Sequence, residues 1–178
     1  MTKSIRTTRR RFMGVSLGAL SAVAIPTLIS SKALGLNGAV AASERIVMGG
    51  LGIGPRGRAD LGAFLKNPEV QFVAVADAQA SRREAVKQMV DQHHQNNDCQ
   101  TYRNMFDVLV RDDIDAVLIA TGDRWHTMAS ICAAKAGKDI YCEKPCSMTI
   151  AESRALAETI RRYGRVYQAG TQRRNIGN

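Results

Sequence analysis

The stretch Ile46-Val-Met-Gly-Gly-Leu-Gly-Ile-Gly-Pro-Arg-Gly57 decides the fold of this chain. A short apolar run leads into a Gly52-x-Gly54-x-x-Gly57 turn, and the residues that follow (58–65) have the pattern of a helix. This order of strand, glycine turn and helix is typical of the first unit of a dinucleotide-binding sheet. The three glycines would permit a tight turn, close approach of a pyrophosphate and close packing of the helix, whose N-terminus would face the phosphates.

A second predicted strand strengthens the prediction of a dinucleotide site. Phe72-Val-Ala-Val-Ala76 ends in Asp77, twenty residues beyond Gly57. A carboxylate at that position can accept hydrogen bonds from the adenosine ribose and disfavours the 2′-phosphate of NADP. The spacing therefore predicts NAD, while Arg82 and Arg83 nearby leave NADP as the alternative. A glycine turn on some other α/β sheet is the structural alternative.

The rest of the chain alternates between strands and helices. The apolar stretch 116–120 has no polar face, which indicates a strand buried on both sides in a parallel sheet. We predict an α/β fold with a doubly wound parallel sheet in the order 3-2-1-4-5-6. A capping box, Thr149-x-x-Glu152, should start the last helix, and Gly137 and Gly164 stand where helices should end. The predicted strands are 46–51, 70–76, 99–103, 115–120, 139–142 and 165–169, and the predicted helices are 56–66, 79–95, 104–110, 125–136 and 150–163.

The charge and the cysteines argue against nucleic-acid and metal sites. The chain of 178 residues has a net charge of +9, of which residues 1–41 contribute +6 with six basic and no acidic residues. The remaining basic residues are scattered, without the aromatic and basic stripe of a strand-binding groove, so no nucleic acid is expected as a partner. The four cysteines form no C-x-x-C pair, and we predict free thiols and no metal.

The first 41 residues have the pattern of a secretory leader. Arg9-Arg-Arg-Phe12 precedes an apolar run (14–29), and Ala39-Val-Ala41 offers a small-x-small cleavage site. The paired arginines predict the twin-arginine route, which exports folded proteins, with its translocase as a partner and a periplasmic or other extracytoplasmic location. A membrane anchor is the alternative, although Pro26 interrupts a run that is already short for a membrane span.

Two polar stretches follow predicted strand ends. In a doubly wound sheet, ligands lie beyond the carboxyl ends of the strands, where strands 1 and 4 diverge. Thr121-Gly-Asp-Arg-Trp-His126 leaves the fourth strand there, and Glu143-Lys-Pro145 leaves the fifth. A lysine in this cleft could be desolvated and suited to proton transfer or to holding a substrate hydroxyl; a surface lysine before a turn proline is the alternative. For Trp125 and His126 the alternative is a packed indole and a helix N-terminal histidine.

Four motifs together resemble one protein family. They are Gly52-Ile-Gly-Pro-Arg-Gly57, Ala120-Thr-Gly-Asp-Arg-Trp-His126, Ala133-Ala-Lys-Ala-Gly-Lys-Asp-Ile-Tyr-Cys-Glu-Lys-Pro145 and Gly170-Thr-Gln-Arg-Arg174. Through them, residues 45–178 resemble the glucose–fructose oxidoreductase/inositol dehydrogenase (Gfo/Idh/MocA) family. The resemblance implies a Rossmann domain that binds NAD(H) or NADP(H), then a C-terminal α/β domain that carries the substrate and often forms oligomers. Members mostly oxidise or reduce sugars and cyclitols, and some hydrolyse glycosides with redox assistance from bound NAD.

The resemblance also assigns residues. It makes Lys144 the catalytic candidate, beside the nicotinamide and the reacting hydroxyl, and implies a cis Lys144–Pro145 bond. The candidate cofactor contacts are Gly52, Ile53, Gly54, Pro55, Arg56, Gly57, Asp77, Thr121, Gly122, Asp123, Trp125, His126, Glu143, Lys144 and Pro145.

The chain departs from the family pattern in four places. Pro55 occupies a position of the glycine turn that is often held by glycine. Gly122 stands where a proline is usual, Cys146 stands where an aliphatic residue is common, and the sequence ends at Asn178, where the second domain would begin. We therefore expect a signal peptide (1–41), a Rossmann domain (42–170) and the start of a second domain (171–178), with no homo-oligomer expected without that domain. An exported NAD-dependent oxidoreductase of sugars or cyclitols is the first interpretation. A truncated, non-catalytic nucleotide-binding remnant and an NAD-dependent redox-assisted glycosidase are the alternatives.

Overall fold

Six parallel β-strands form one sheet in the computed structural model, which describes residues 34–36 and 40–175. The sheet order is β3-β2-β1-β4-β5-β6, so the predicted doubly wound order is confirmed. The predicted signal peptide lies almost entirely outside the described residues. The strands are β1 (Ile46–Leu51), β2 (Val70–Ala76), β3 (Gln100–Tyr102), β4 (Ala116–Ile119), β5 (Asp139–Glu143) and β6 (Tyr167–Gly170).

Five α-helices connect these strands. They are α1 (Pro55–Phe64), α2 (Ala80–His94), α3 (Met105–Leu109), α4 (His126–Lys135) and α5 (Ile150–Tyr163). Short 3₁₀ turns cover Ala42–Glu44, Asp123–Trp125 and Gln172–Asn175. No helix within the described ranges has the length and apolar content that a membrane span requires.

The apolar strands are buried on both faces, as their composition predicts. Val117 and Ile119 of β4 pack into one core cluster with Leu51. Between them, Leu118 points to the other face and packs with Phe72. Alternate side chains of β4 therefore pack into two hydrophobic cores, one on each face of the sheet, which is why the strand has no polar face.

The helix boundaries have local physical causes. Pro55 is the first residue of α1, where its missing N–H removes no hydrogen bond. The predicted capping box of α5 is present, because the Thr149 side chain accepts a hydrogen bond from the Glu152 N–H and the Glu152 carboxylate accepts one from the Thr149 N–H. Gly164 ends that helix with φ of +61°, a left-handed conformation that suits glycine.

The last strand starts two residues later than predicted. The N–H of Arg165 donates to Ile160 O at the end of α5, at 3.1 Å. The N–H of Val166 donates to the Asp139 carboxylate, at 2.9 Å. The N–H of Arg165 is therefore bonded to the end of a helix, and the N–H of Val166 to a side chain. The regular pairing with β5 begins only at Tyr167, which pairs with Ile140. The bounds of β1, β2 and α5 match the prediction, and the ends of the other elements differ from it by at most two residues, as at Gln95, which leaves α2 with φ of +56°.

Candidate functional site

The glycine turn lies between β1 and α1, at the carboxyl edge of the sheet. Gly52 has φ of +68°, and a Cβ placed on it would come 2.7 Å from Thr121 Cα, so only glycine fits there. A Cβ on Gly57 would lie 2.8 Å from Ala120 Cβ, which explains how closely α1 packs on the sheet. Gly54 is different, because the nearest atom to its added Cβ is Arg82 Nη1 at 3.5 Å. The turn is therefore closed toward β4, whereas a side chain on Gly54 would meet only the Arg82 guanidinium, at ordinary van der Waals distance.

Asp77 ends β2 with one carboxylate oxygen unused. The residue is 7% exposed, and its Oδ1 accepts a hydrogen bond from the Gln79 N–H at 2.8 Å. Its Oδ2 is buried and has no hydrogen-bond partner. Arg83 does not pair with this carboxylate, since its guanidinium donates to the main-chain oxygen of Asp77 at 2.6 Å. A buried acceptor without a donor is costly unless a ligand supplies one.

A cavity of about 420 Å³ joins the glycine turn to Asp77. It lies between the ends of β1, β2 and β4, where the strand order reverses. Its volume is in the range that small-molecule sites usually have. The lining residues are Leu51, Gly52, Ala76, Asp77, Ala78, Arg82, Arg103, Asn104, Met105, Phe106, Thr121, Gly122 and Trp125.

His126 links the two loops that follow β4 and β5. The residue is 1% exposed; its Nδ1 lies 2.6 Å from Pro145 O, and its Nε2 lies 3.1 Å from Thr121 O. Next to it, Thr127 Oγ1 donates to Cys146 O at 3.1 Å. Both ring nitrogens thus face main-chain carbonyls at hydrogen-bonding distance, and the ring donates through a nitrogen that carries a proton, which ties His126 to the predicted contacts around it. It begins α4, which is the helix N-terminal placement given as its alternative.

The exposure of Trp125 and the burial of Ile53 also differ from what the sequence suggests. Trp125 is 54% exposed, so the alternative of a packed indole is wrong. Ile53 is fully buried beneath the glycine turn, and only its main chain can face a ligand. The remaining predicted contacts in these loops, Pro55, Gly122 and Asp123, lie at the same edge of the sheet as Asp77.

Glu143 and Arg56 form a cluster with two residues that sequence reasoning missed, Asp60 and Gln172. Glu143 Oε1 accepts hydrogen bonds from Arg56 Nε at 3.2 Å and from Gln172 Nε2 at 2.7 Å. Asp60 Oδ1 accepts from Arg56 Nη2 at 2.5 Å and from Gln172 Nε2 at 3.2 Å. The Arg56–Asp60 spacing of i,i+4 on a helix was the available sequence signal for half of this cluster.

The two carboxyl groups of this cluster titrate differently. Burial, and then the charge of Glu143, raise the pKa of Asp60 to about 6. Burial also opposes the ionisation of Glu143, but hydrogen bonds from Gln172 and Arg56 outweigh it and lower the pKa of Glu143. Glu143 is therefore the permanent anion, and Asp60 takes up a proton in mildly acidic solution.

Lys144 lies at the rim of a second cavity. The Lys144–Pro145 bond is cis, as the resemblance implied. The Lys144 N–H donates to Glu143 Oε2 at 3.2 Å, but the side chain is exposed, so the expectation of a desolvated lysine is wrong. The cavity has a volume of about 460 Å³ and is lined by Arg56, Glu143, Lys144, Gly170, Thr171, Gln172, Arg173 and Arg174.

The four cysteines are free thiols, as predicted. Burial raises the pKa of Cys99 to about 12 and that of Cys142 to about 11, so both stay protonated at neutral pH. Among the described residues, no group of three or more His, Cys, Asp or Glu side chains could hold a metal ion.

Comparisons with known proteins agree with this geometry. A profile described as an oxidoreductase family with an NAD-binding Rossmann fold matches residues 45–171. The uncharacterized oxidoreductase YrbE of Bacillus subtilis (strain 168) is 33% identical over 132 residues, which is 74% of this chain and 37% of that protein. Glycosyl hydrolase family 109 protein 1 of Shewanella sp. (strain MR-4) is 31% identical over 122 residues, or 67% of this chain and 27% of that protein.

Solved structures show the same likeness. Myo-inositol 2-dehydrogenase from Lactobacillus plantarum superposes with a TM-score of 0.66 at 25% identity, over 74% of this chain and 38% of that one. The chain therefore spans less than two-fifths of the length of each of these proteins.

Proposed function

The chain belongs to the Gfo/Idh/MocA oxidoreductase family, and from that premise we propose that it is the NAD-binding part of an oxidoreductase that acts on a sugar or cyclitol hydroxyl. One observation carries this proposal. At one edge of the sheet, Asp77 keeps a buried oxygen without a donor, and the glycine turn has no backbone atom within 4 Å of a Cβ on Gly54, where only the Arg82 guanidinium approaches. A nucleotide ribose would supply that donor while its pyrophosphate lies against the turn.

The described residues fit a dinucleotide at this edge. The main chain around Gly54 and the N-terminus of α1 would hold the pyrophosphate, beside the Arg82 guanidinium that approaches Gly54. Asp77 would accept hydrogen bonds from the adenosine ribose through Oδ2. The loops that His126 joins would border the nicotinamide end, since they leave β4 and β5.

The proposed chemistry is hydride transfer. When bound, NAD supplies a hydride acceptor at its nicotinamide ring. Lys144 would contact the substrate hydroxyl that loses a proton as the carbon beside it loses a hydride. Glu143 fixes the main chain of Lys144 through its Oε2, and Arg56 and Gln172 fix Glu143 in turn. The main chain of the catalytic lysine would thus be held in place by Glu143, a buried residue whose two carboxylate oxygens both accept hydrogen bonds.

Nucleotide titration tests the cofactor assignment. We expect the full chain to bind NADH more tightly than NADPH, because the Asp77 carboxylate repels a 2′-phosphate. Asp77→Asn keeps the size of the side chain but removes its charge, and it should weaken NADH binding about tenfold while narrowing the preference over NADPH. Nucleotide fluorescence measures both affinities. Equal or tighter NADPH binding by the unaltered chain would contradict the role given to Asp77.

The role of Lys144 is tested by Lys144→Met in the full-length protein. Methionine keeps most of the stem but removes the donors, so turnover with NAD and a cyclitol or aldose substrate should fall ~10²–10⁴-fold. NADH affinity should stay within about twofold, because the proposed contacts to the pyrophosphate and the adenosine ribose lie at the glycine turn and Asp77. Lys135→Met, on the exposed side of α4, is the matched control. Unchanged turnover in Lys144→Met would remove this lysine from the reaction.

A second candidate function is a redox-assisted glycosidase. It is supported by the 31% identity to a glycosyl hydrolase family 109 protein. In that case the protein would release the leaving group from an aryl glycoside only when NAD is bound, without net NADH accumulation. Net NADH formation from a free sugar or cyclitol would instead favour the dehydrogenase.

We also propose a domain division and an export route. Residues 42–170 would be the dinucleotide-binding domain, and residues 171–178 would begin a substrate domain. Residues 1–41 would direct export by the twin-arginine translocase to an extracytoplasmic compartment. The support is the arginine pair, the apolar run and the cleavage pattern of those residues.

A further inference from the structure

We propose that the substrate of this protein carries an anionic group, a carboxylate or a phosphate, which binds in the cavity of about 460 Å³ beside Lys144. The inference rests on the proposed function, because it identifies this cavity as the place where the sugar or cyclitol is held. We call it the β5–β6 cavity, since its lining residues follow those two strands, apart from Arg56 at the start of α1.

Four cationic side chains line the β5–β6 cavity, but only one of them is neutralised. Arg56 forms ion pairs with Glu143 and Asp60. In the described part of the chain, Lys144, Arg173 and Arg174 form no side-chain ion pair or hydrogen bond, so three positive charges remain uncompensated.

The one carboxylate that lines this cavity cannot balance them. Glu143 Oε1 is taken by Arg56 and Gln172, and its Oε2 accepts the Lys144 N–H. Glu143 is also 4% exposed, which leaves it unavailable to a side chain that enters from the cavity. The side chains of the site therefore present donors and positive charge toward a ligand and no free carboxylate.

The three unpaired cationic side chains of this cavity fit an oxyanion as the ligand. Guanidinium groups match the planar geometry of a carboxylate and the oxygens of a phosphate, often with two parallel hydrogen bonds. A bound oxyanion would relieve the repulsion among Lys144, Arg173 and Arg174. The hydroxyls of a neutral polyol can accept hydrogen bonds but carry no charge, so a neutral polyol would leave all three charges uncompensated.

The β5–β6 cavity is separate from the cavity assigned to the nucleotide. The two share no lining residue: Asp77 and Gly52 border the first, and Arg56 and Lys144 border the second. The second has a volume within the range of roughly 300–1,000 Å³ typical of small-molecule sites. Because Lys144 lies at its rim, a sugar anchored by its anionic group would keep its hydroxyls near that lysine.

Calorimetric titration of the full chain tests the proposal. The probes are D-glucuronate, D-glucose 6-phosphate, neutral D-glucose and inorganic phosphate, each with and without saturating NADH. We expect at least one anionic sugar to bind about tenfold or more tightly than glucose, because a charged hydrogen bond adds that much affinity. The stronger of the two anionic sugars identifies the group as carboxylate or phosphate. Binding should weaken as salt rises.

Two double variants separate this cavity from general surface charge. Arg173→Gln with Arg174→Gln should weaken binding of the preferred anionic sugar about tenfold. Arg161→Gln with Arg162→Gln removes another exposed pair of neighbouring arginines, at the end of α5, and should leave it unchanged. Circular dichroism confirms that both variants are folded.

Several results would overturn the proposal. They are equal affinity for glucose and both anionic sugars, inorganic phosphate binding as tightly as the better anionic sugar, and no loss in the Arg173/Arg174 variant. Competition between the anionic sugar and NADH would assign these cations to the nucleotide phosphates instead. If the chain binds no NADH yet binds the anionic sugar, the proposed function fails and the anion site stands, so the two failures are distinguishable.

Discussion

At the scale of single residues, Asp60 and Glu143 place two carboxyl groups beside one guanidinium. Both residues are buried, at 7% and 4% exposure. Arg56 and Gln172 each donate to both carboxylates, so Glu143 Oε1 and Asp60 Oδ1 each accept two hydrogen bonds. Asp60 Oδ2 is left without a partner in a buried position. Burial, and then the negative charge of Glu143, favour a proton on Asp60, and this explains its raised pKa.

This pairing predicts a pH dependence of stability that Asp60→Asn should remove. The folded pKa of Asp60 is raised from 3.8 to about 6, so between these values the folded chain binds a proton that the unfolded chain does not. Its contribution to the free energy of unfolding is therefore fully present below the unfolded pKa and is lost as pH rises through about 6. Asparagine mimics the protonated acid and should not show this loss.

Urea unfolding at pH values from 4 to 7 measures the effect. The free energy of unfolding of the unaltered chain should fall relative to Asp60→Asn by on the order of 2 kcal/mol across that range. The comparison with the variant is needed because the pKa of His94 is lowered by burial and acts in the opposite direction in both proteins. Parallel pH profiles of the two proteins would contradict the proton on Asp60.

At the scale of secondary-structure elements, the start of α5 matters because the helix follows the loop that carries Lys144. The Thr149 hydroxyl accepts the Glu152 N–H at 3.2 Å, and Glu152 Oε2 accepts the N–H groups of Thr149 and Met148 at 3.0 and 2.8 Å. These bonds satisfy helix donors that would otherwise lack partners. They also fix where the loop from β5 joins the helix.

Removal of this cap should destabilise the chain measurably. Thr149→Ala deletes the hydroxyl acceptor, and the free energy of unfolding should fall by about 1 kcal/mol. Thr149→Ser keeps the hydroxyl and should cost only a few tenths of that. Chemical denaturation followed by circular dichroism gives both values. An alanine variant as stable as the serine variant would mean that the cap contributes nothing to folding.

The elements themselves were largely predictable from the sequence. Strands such as 116–119 are apolar without interruption, and glycine, proline and capping residues mark the helix ends, so type and order follow from local pattern. The start of β6 was not predictable, because it depends on the Asp139 carboxylate, which lies in another strand and binds the Val166 N–H. A local pattern does not contain a bond between distant residues.

In the candidate site too, some residues could be predicted from the sequence and others could not. Gly52 and Asp77 could be found because motif spacing encodes the turn and the end of the next strand. Gln172 could not, since it contacts Asp60 only after the sheet brings together residues 112 positions apart. The sequence also left the exposure of Lys144 open between a desolvated and a surface lysine, because spacing places a side chain at an edge without saying what covers it.

At the scale of the whole molecule, the sheet order brings both cavities to one edge. β1 lies between β2 and β4, so the glycine turn and Asp77 meet on one side of the switch point. β5 and β6 continue the sheet on the other side, and the Glu143 cluster closes the gap between β5, β6 and α1. Nucleotide and substrate would thus approach each other along the carboxyl ends of β4 and β5.

Export is the prediction that concerns the chain as a whole. A reporter fused behind residues 1–45 should leave the cytoplasm, because Arg9 and Arg10 precede an apolar run and a cleavage pattern. Replacing both with lysine keeps the charge, so a charge-driven route would still work, whereas a translocase that recognises the guanidinium pair would fail. We therefore expect most of the doubly substituted reporter to stay in the cytoplasm. Lys3→Arg with Lys32→Arg, which also exchanges two basic residues of this segment, is the control and should be exported normally. Fractionation of the cells measures the outcome. Undiminished export of the Arg9→Lys, Arg10→Lys reporter would exclude the twin-arginine route and leave a general secretory leader or an anchor as the explanation of residues 1–41.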